Sequence, residues 1–236
     1  MKYIINFIKK INMKKTSILF TIILCNFSTA QQTLSVNQIT GDHSVFNGIV
    51  STTGKSLKYD EIQGSPYLSK SFSNAKIGEN FEEVPVRYNS YKDEIEFQKD
   101  GKILVLPKES KFSRIEIKSP PQNFVVLDSN DELKGYFIEL MNGKYSLYKK
   151  EKTIFRDYVP AASSYASDKP ASFKNQDPIF YIKTENSIIK NPKNQKDIIE
   201  KFPDKKEILT LFFKSNKIKF DKEEDLIKLV NFLNKN

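Results

Sequence analysis

A chain of 236 residues with 38 Lys and Arg against 29 Asp and Glu carries a formal charge of +9, with one Cys, one His and no Trp. Five of those lysines fall in residues 1–30, which hold no acid, so the remainder sets 33 basic against 29 acidic side chains, a net of +4. So small an excess, with Arg only at 87, 114 and 156, argues against nucleic-acid recognition, which needs a concentrated basic face and the arginine fork.

The first thirty residues have the order of a secretory leader. Met13-Lys14-Lys15 is basic, Ser17 to Phe27 is apolar, and Ser28-Thr29-Ala30 offers small side chains to a peptidase. Cleavage after Ala30 and export to the periplasm or beyond are expected, with Met1 or Met13 as the start. The uncharged run from Thr16 to Ala30 is shorter than the roughly 20 residues a spanning helix needs. Cys25 lies in this leader behind Leu24, a poor setting for lipidation. Without Cys25 the chain holds no thiol, which excludes disulfides, thiol catalysis and Cys-ligated metals.

Residues 31–56 are polar and read as a flexible lead-in, with room for one short strand near Val45–Val50. The main domain is expected over 57–236, mainly β from 57 to 190 and helical from 194 to 235. Asp100-Gly101 and Asn142-Gly143 are dipeptides favoured in two-residue hairpin loops, because both central residues tolerate positive φ. The first predicts Lys99 opposite Lys102, with pairing back to Phe97–Leu104 and Ile95–Leu106. The second predicts Met141 opposite Lys144, then Leu140–Tyr145 and Ile138–Leu147. Each register puts an apolar stripe on one face. Strands are also expected at 114–118, 123–128, 179–183 and 187–190, and a loop over 159–178.

Past residue 190 the period changes to that of helices. Asn194, Asp204 and Asp221 each precede an acid three positions on, close to a reciprocal cap. Leu226, Leu229, Val230 and Leu233 have the spacing of one buried stripe, and Ile208, Leu211 and Phe212 predict another. The fold class is therefore α+β: an antiparallel, curved or partly closed β-sheet followed by a C-terminal helical segment packed on it.

The chemistry-bearing residues are sparse. His43 stands alone in the lead-in, without the supporting group a catalytic base requires. Ser-x-x-Lys occurs at Ser73/Lys76, Ser146/Lys149 and Ser187/Lys190, about as often as composition alone supplies it. Asp93, Glu94 and Glu96 form an acidic cluster, but Ile95 and Phe97 alternate with them, the pattern of a strand with one solvated face. Asp60 or Glu61 can pair with Arg87. Asp128 to Glu132 has oxygen ligands but neither the spacing nor the glycine of a calcium loop. No cofactor is expected, and no catalytic or metal-binding residue is assigned. The 18 Phe and 11 Tyr include Tyr67, Tyr88, Tyr91, Tyr136, Tyr145 and Tyr148 on or beside expected strands, able to line a pocket, form a partner face or pack a sheet.

The run Tyr59-Asp60-Glu61-Ile62-Gln63-Gly64-Ser65-Pro66-Tyr67-Leu68, then Val86-Arg87-Tyr88-Asn89 and Asp93-Glu94-Ile95-Glu96, resembles uncharacterised exported proteins of Bacteroidetes-type bacteria. The likeness extends over about 57–236, ends on Asp225-Leu226-Ile227-Lys228 and Asn231, and implies an envelope location with no assigned chemistry. The expectation is an exported, non-enzymatic protein binding an envelope partner or an apolar small molecule, with Arg87, Tyr88 and Asp93 as the candidate binding residues. The alternatives are a hydrolase using carboxylates or a Ser–Lys pair, and a purely structural envelope component.

Overall fold

The computed structural model describes residue 45 and residues 47–236, apart from 53, 80, 131 and 132. The leader with Cys25, His43, most of the lead-in and the end of the 128–132 segment lie outside the described residues.

Chain order gives β1 (Gly48–Val50), β2 (Ser56–Lys58), β3 (Ser73–Ile77), β4 (Val84–Asn89), β5 (Glu94–Lys99), β6 (Lys102–Val105), β7 (Arg114–Lys118), β8 (Pro121–Asn130) and β9 (Leu133–Met141). There follow β10 (Ser146–Lys150), β11 (Thr153–Arg156), β12 (Ser172–Asn175), β13 (Ile179–Lys183) and β14 (Ile188–Lys190), then helices α1 (Gln195–Lys201), α2 (Lys206–Ser215) and α3 (Glu223–Lys235). Ten strands form one antiparallel sheet in the order β14-β13-β10-β9-β8-β7-β3-β4-β5-β6. The pairs β1-β2 and β11-β12 form two small sheets beside it. Among the described residues no helix is long and apolar enough to cross a membrane.

The large sheet is strongly curved. Strands β4 and β8 stand three places apart, about 14 Å if the sheet were flat. Yet the Tyr88 and Phe124 rings lie 4.9 Å apart, and Tyr88 and Tyr136 meet edge to face at 6.3 Å across four strand places. The concave side is filled by Tyr88, Ile95, Phe97, Phe124 and Tyr136, all at most 3% exposed. The two outer strands, β14 and β6, do not pair with each other, so closure is partial.

The Asp100-Gly101 loop is as expected: both residues have positive φ (49° and 72°), Lys99 faces Lys102, and Phe97 faces Leu104. Leu106 N–H continues the ladder to Ile95 C=O at 2.8 Å. Asn142-Gly143 is different. Met141 pairs with Leu147 rather than Lys144, and a bulge follows at Leu147/Tyr148. The reason is in α3: Asn234 accepts from Tyr145 N–H and donates to Tyr145 C=O, each at 2.8 Å, so the side chain replaces the strand partner that a tight hairpin would supply.

The expected 159–178 loop contains β12, which pairs with β11 and buries Phe173. The helices pack on the β10-β13-β14 end through Leu226, Leu229, Val230 and Leu233 against Tyr145, Leu147, Phe180, Ile182 and Ile189. In α2 the buried stripe is Leu209, Phe212 and Phe213, and Leu211 points outward at 63% exposure, one position out of phase with expectation. Of the three expected caps only Asn194 acts, accepting from Asp197 N–H; α2 and α3 begin after Lys205 and Lys222 with no side-chain cap.

Candidate functional site

The three candidate binding residues lie on the β4–β5 hairpin, whose register sets Arg87 opposite Glu96 and Tyr88 opposite Ile95. Because neighbours on a strand point to opposite faces, Arg87 and Tyr88 belong to different surroundings. Of the three candidate binding residues, the structure therefore brings Tyr88 and Asp93 together and sends Arg87 to the other side.

On the Arg87 side, the guanidinium donates to Glu96 Oε2 from Nη2 at 2.6 Å and Nε at 2.8 Å. Nη2 also donates to the Tyr67 hydroxyl at 2.8 Å, which donates in turn to Asn47 Oδ1 at 3.2 Å. Rings close over both faces of the group: its central carbon lies 3.8 Å from the Tyr67 centroid and 4.4 Å from that of Phe72. Glu96 is fully buried and takes a further bond from Asn89 Nδ2 at 3.2 Å. It is no solvated acid, because β5 is covered on both faces. Arg87 pairs with Glu96, not with Asp60 or Glu61; Glu61 instead accepts from Lys58 N–H.

Arg87 also lines a pocket of about 550 Å³, with Tyr59, Tyr67 and Asp60 and with Lys58 and Lys70 at its rim. Tyr59, Ile62 and Tyr67 of its lining belong to a small apolar core with Ile49 and Phe173, built by β1, the 59–67 segment and β12. Burial pushes the Tyr59 hydroxyl up to about 12. That oxygen is buried without a hydrogen-bond partner; the Asn89 amide influences it favourably but does not reach it with bonding geometry. Tyr67 is raised as well, first by burial and then by the Glu96 charge.

On the other side, Asp93 closes the 90–93 turn at φ 58°. Its carboxylate accepts from Lys150 Nζ (2.6 Å), the Tyr88 hydroxyl (2.7 Å), Lys108 Nζ (3.1 Å) and Tyr136 N–H (3.2 Å). Lys150 Nζ donates also to Tyr136 C=O at 2.7 Å. The β9–β10 pairing extends only to Ile138–Lys149, so beyond it the Asp93–Lys150 pair serves both backbone groups of Tyr136 in place of a strand. Gly135, at φ 99°, makes the approach possible, since a Cβ there would collide with the Asp93 carboxylate. Burial holds Lys150 below the usual lysine range, partly offset by Asp93, and burial raises Tyr88 strongly with Asp93 adding to it.

Both members of the Ser146/Lys149 pair are engaged with other groups. Ser146 Oγ donates to Gly143 C=O, and Lys149 is bound to Glu223 at 2.7 Å and Glu151 at 3.5 Å. Among the described residues no group of three or more His, Cys, Asp or Glu is placed to hold a metal. Tyr59 and Lys150 carry these arrangements without having been singled out, whereas Tyr67 and Glu96 stood among the aromatic and acidic candidates. The Arg87–Glu96 pairing follows once residues 90–93 are read as a four-residue turn, and that is the one signal for it in the sequence. No family model, no curated protein and no solved structure matches the chain.

Proposed function

We propose that this chain is an exported, non-enzymatic binding protein whose ligand occupies the pocket in front of Arg87. The observation that carries the reading is that pocket: about 550 Å³, within the range of small-molecule sites, floored by a guanidinium that two rings and a buried carboxylate hold in place. A preorganised floor loses little freedom when a ligand arrives. The polar and cationic lining favours a ligand with hydrogen-bonding groups over a wholly apolar one. The strongest candidates for catalytic carboxylates, Asp93 and Glu96, sit on opposite faces of one hairpin, each bound to a cation, which supports binding over hydrolysis.

Export rests on the leader order of residues 13–30 and on the resemblance to exported proteins of Bacteroidetes-type bacteria. Intact mass of the protein recovered from its native envelope fraction is expected to fit a chain starting at Gln31. Full-length protein confined to the cytosol would refute export. For the pocket, fragment screening by amide NMR on the isotope-labelled protein is expected to move the resonances of Tyr59, Tyr67 and Arg87 together. Hits that consistently map elsewhere would end the proposal.

A further inference from the structure

We infer that the pocket in front of Arg87 selects an organic oxyanion, a carboxylate or phosphate carried on a polar ring body of sugar size. The inference rests on the reading that this pocket is the binding site, and it follows from the charges around it. Three cations line the pocket, Lys58, Lys70 and Arg87, against one carboxylate, Asp60. Arg87 is neutralised from beneath by Glu96, which is wholly buried and presents no charge of its own to the opening. Among the described residues neither Lys58 nor Lys70 has a carboxylate within ion-pair distance, so the side chains that line the pocket, with Arg87 answered by Glu96, sum to one positive charge.

The two parts of the ligand are separated by the geometry. An anionic group belongs at the rim, where the lysines are exposed and free to turn toward it. It does not belong on the floor, because Glu96 already takes two guanidinium contacts and neutralises the Arg87 charge there. Beside the apolar Tyr59 and Tyr67 rings, the floor instead offers the remaining guanidinium N–H groups and the Asn47 and Ser65 side chains. Those are partners for hydroxyl groups on a compact ring. The lysine ammonium, a point charge on a flexible stem, accepts carboxylate and phosphate alike, so the shared chemistry is the oxyanion.

The test compares three ligands with the same ring: glucuronate, glucose 6-phosphate and uncharged glucose, with inorganic phosphate as a fourth arm. Titrations followed by amide NMR are expected to show the charged sugars moving the Tyr59, Tyr67 and Arg87 resonances at least about tenfold more tightly than glucose. The double substitution Lys58→Gln/Lys70→Gln is expected to remove that preference, whereas Lys102→Gln, on the exposed 100–102 turn, leaves it intact. Circular dichroism is expected to show that these exposed substitutions preserve the fold. Glucuronate against glucose 6-phosphate decides between carboxylate and phosphate, and inorganic phosphate binding equally well would remove the ring from the assignment. Glucose binding the pocket as tightly as the acids overturns the oxyanion while leaving the pocket reading in place. The oxyanion falls alone if none of the four perturbs the pocket while other fragments do. Both readings fall if nothing does.

Discussion

One hairpin, β4–β5, carries an ion pair on each of its two faces, and they are built on different principles. Arg87–Glu96 joins a cation that cannot lose its proton to a carboxylate with no exposure at all. Lys150–Asp93 joins a cation that can shed its proton to a carboxylate still a quarter exposed. The first sits under a pocket and is surrounded by rings. The second spans a gap in the sheet and serves the backbone of Tyr136. A permanent charge must be answered by geometry, whereas a titratable one has protonation as a second way out. The difference explains why the first offers a fixed binding floor and the second reads as a structural tie.

The largest expected effect tests the permanent pair. Arg87→Ala leaves Glu96 buried and unanswered, and the loss is expected at about 3–5 kcal/mol in urea unfolding. Arg87→Lys should rescue only a small part, because an ammonium cannot lie flat between Tyr67 and Phe72 while reaching Glu96 and the Tyr67 hydroxyl. A loss below about 1 kcal/mol for Arg87→Ala would show that Glu96 finds water, and that the floor of the pocket is softer than described.

Asp93→Ala should cost less, about 2–3 kcal/mol at neutral pH, and the cost should depend on pH. Lys150 is already held low by burial, and Asp93 is its offsetting charge. Without Asp93 the folded chain sheds the Lys150 proton at still lower pH than the unfolded chain, whose lysine keeps the ordinary value. Between those two values the unfolded state binds more protons, so stability rises with pH across that window. Urea unfolding of Asp93→Ala at stepped pH below 10, referenced to the parent protein at each step, is expected to show the deficit shrinking. A deficit that stays constant would mean Lys150 remains charged, and the contrast between the two faces would be lost. Gly135→Ala attacks the same tie through sterics and strain, with a loss of about 2 kcal/mol and no such pH dependence.

What the sequence disclosed divides along the same line between local and distant causes. Asp100-Gly101 was legible because a two-residue loop with positive φ at both positions fixes its own register. Asn142-Gly143 carried the same local signal and failed, since Asn234, 89 positions beyond Tyr145, takes that residue out of the ladder. Alternation along β5 suggested a solvated face for Glu94 and Glu96. Only the packing of Tyr67 and the 59–67 segment, brought over Arg87 by tertiary structure, turned that face inward. Strand β12 was hidden in a loop-like composition because its single buried residue, Phe173, finds its partners at Tyr59 and Tyr91. The stripe of α3 was readable from spacing alone, whereas α2 has apolar residues at five of the six positions from Ile208 to Phe213, all but Thr210, and leaves its phase to be set by contact. The pocket was not readable, since its lining comes from four separate stretches of chain.

The smallest expected effect has the opposite sign. Tyr59 packs edge to face on Tyr67 and Phe173, at 6.2 and 5.3 Å, but its buried hydroxyl finds no partner. Tyr59→Phe keeps the ring contacts and removes an unsatisfied oxygen, so at pH 7 it is expected to be neutral or to stabilise by up to about 1 kcal/mol. Its effect should grow in alkali, with the sign set by linkage. Burial lifts the folded Tyr59 to about 12, against 10.0 when unfolded, so between those values the unfolded state releases a proton that the folded state keeps. Stability from this residue is complete below pH 10 and is lost as pH rises through the folded value. Other buried tyrosines, Tyr88 and Tyr136 among them, lose stability in the same direction and remain in the variant. The difference between parent and Tyr59→Phe isolates the one hydroxyl: unfolding measured at pH 8 and again near 11 should show the variant gaining on the parent. Should Tyr59→Phe instead destabilise at pH 7 by more than about 1 kcal/mol, the hydroxyl has a partner under the floor of the pocket. Arg87 and Glu96 would then no longer be the whole of what holds that floor, and the two faces of the hairpin would be more alike than their geometry makes them.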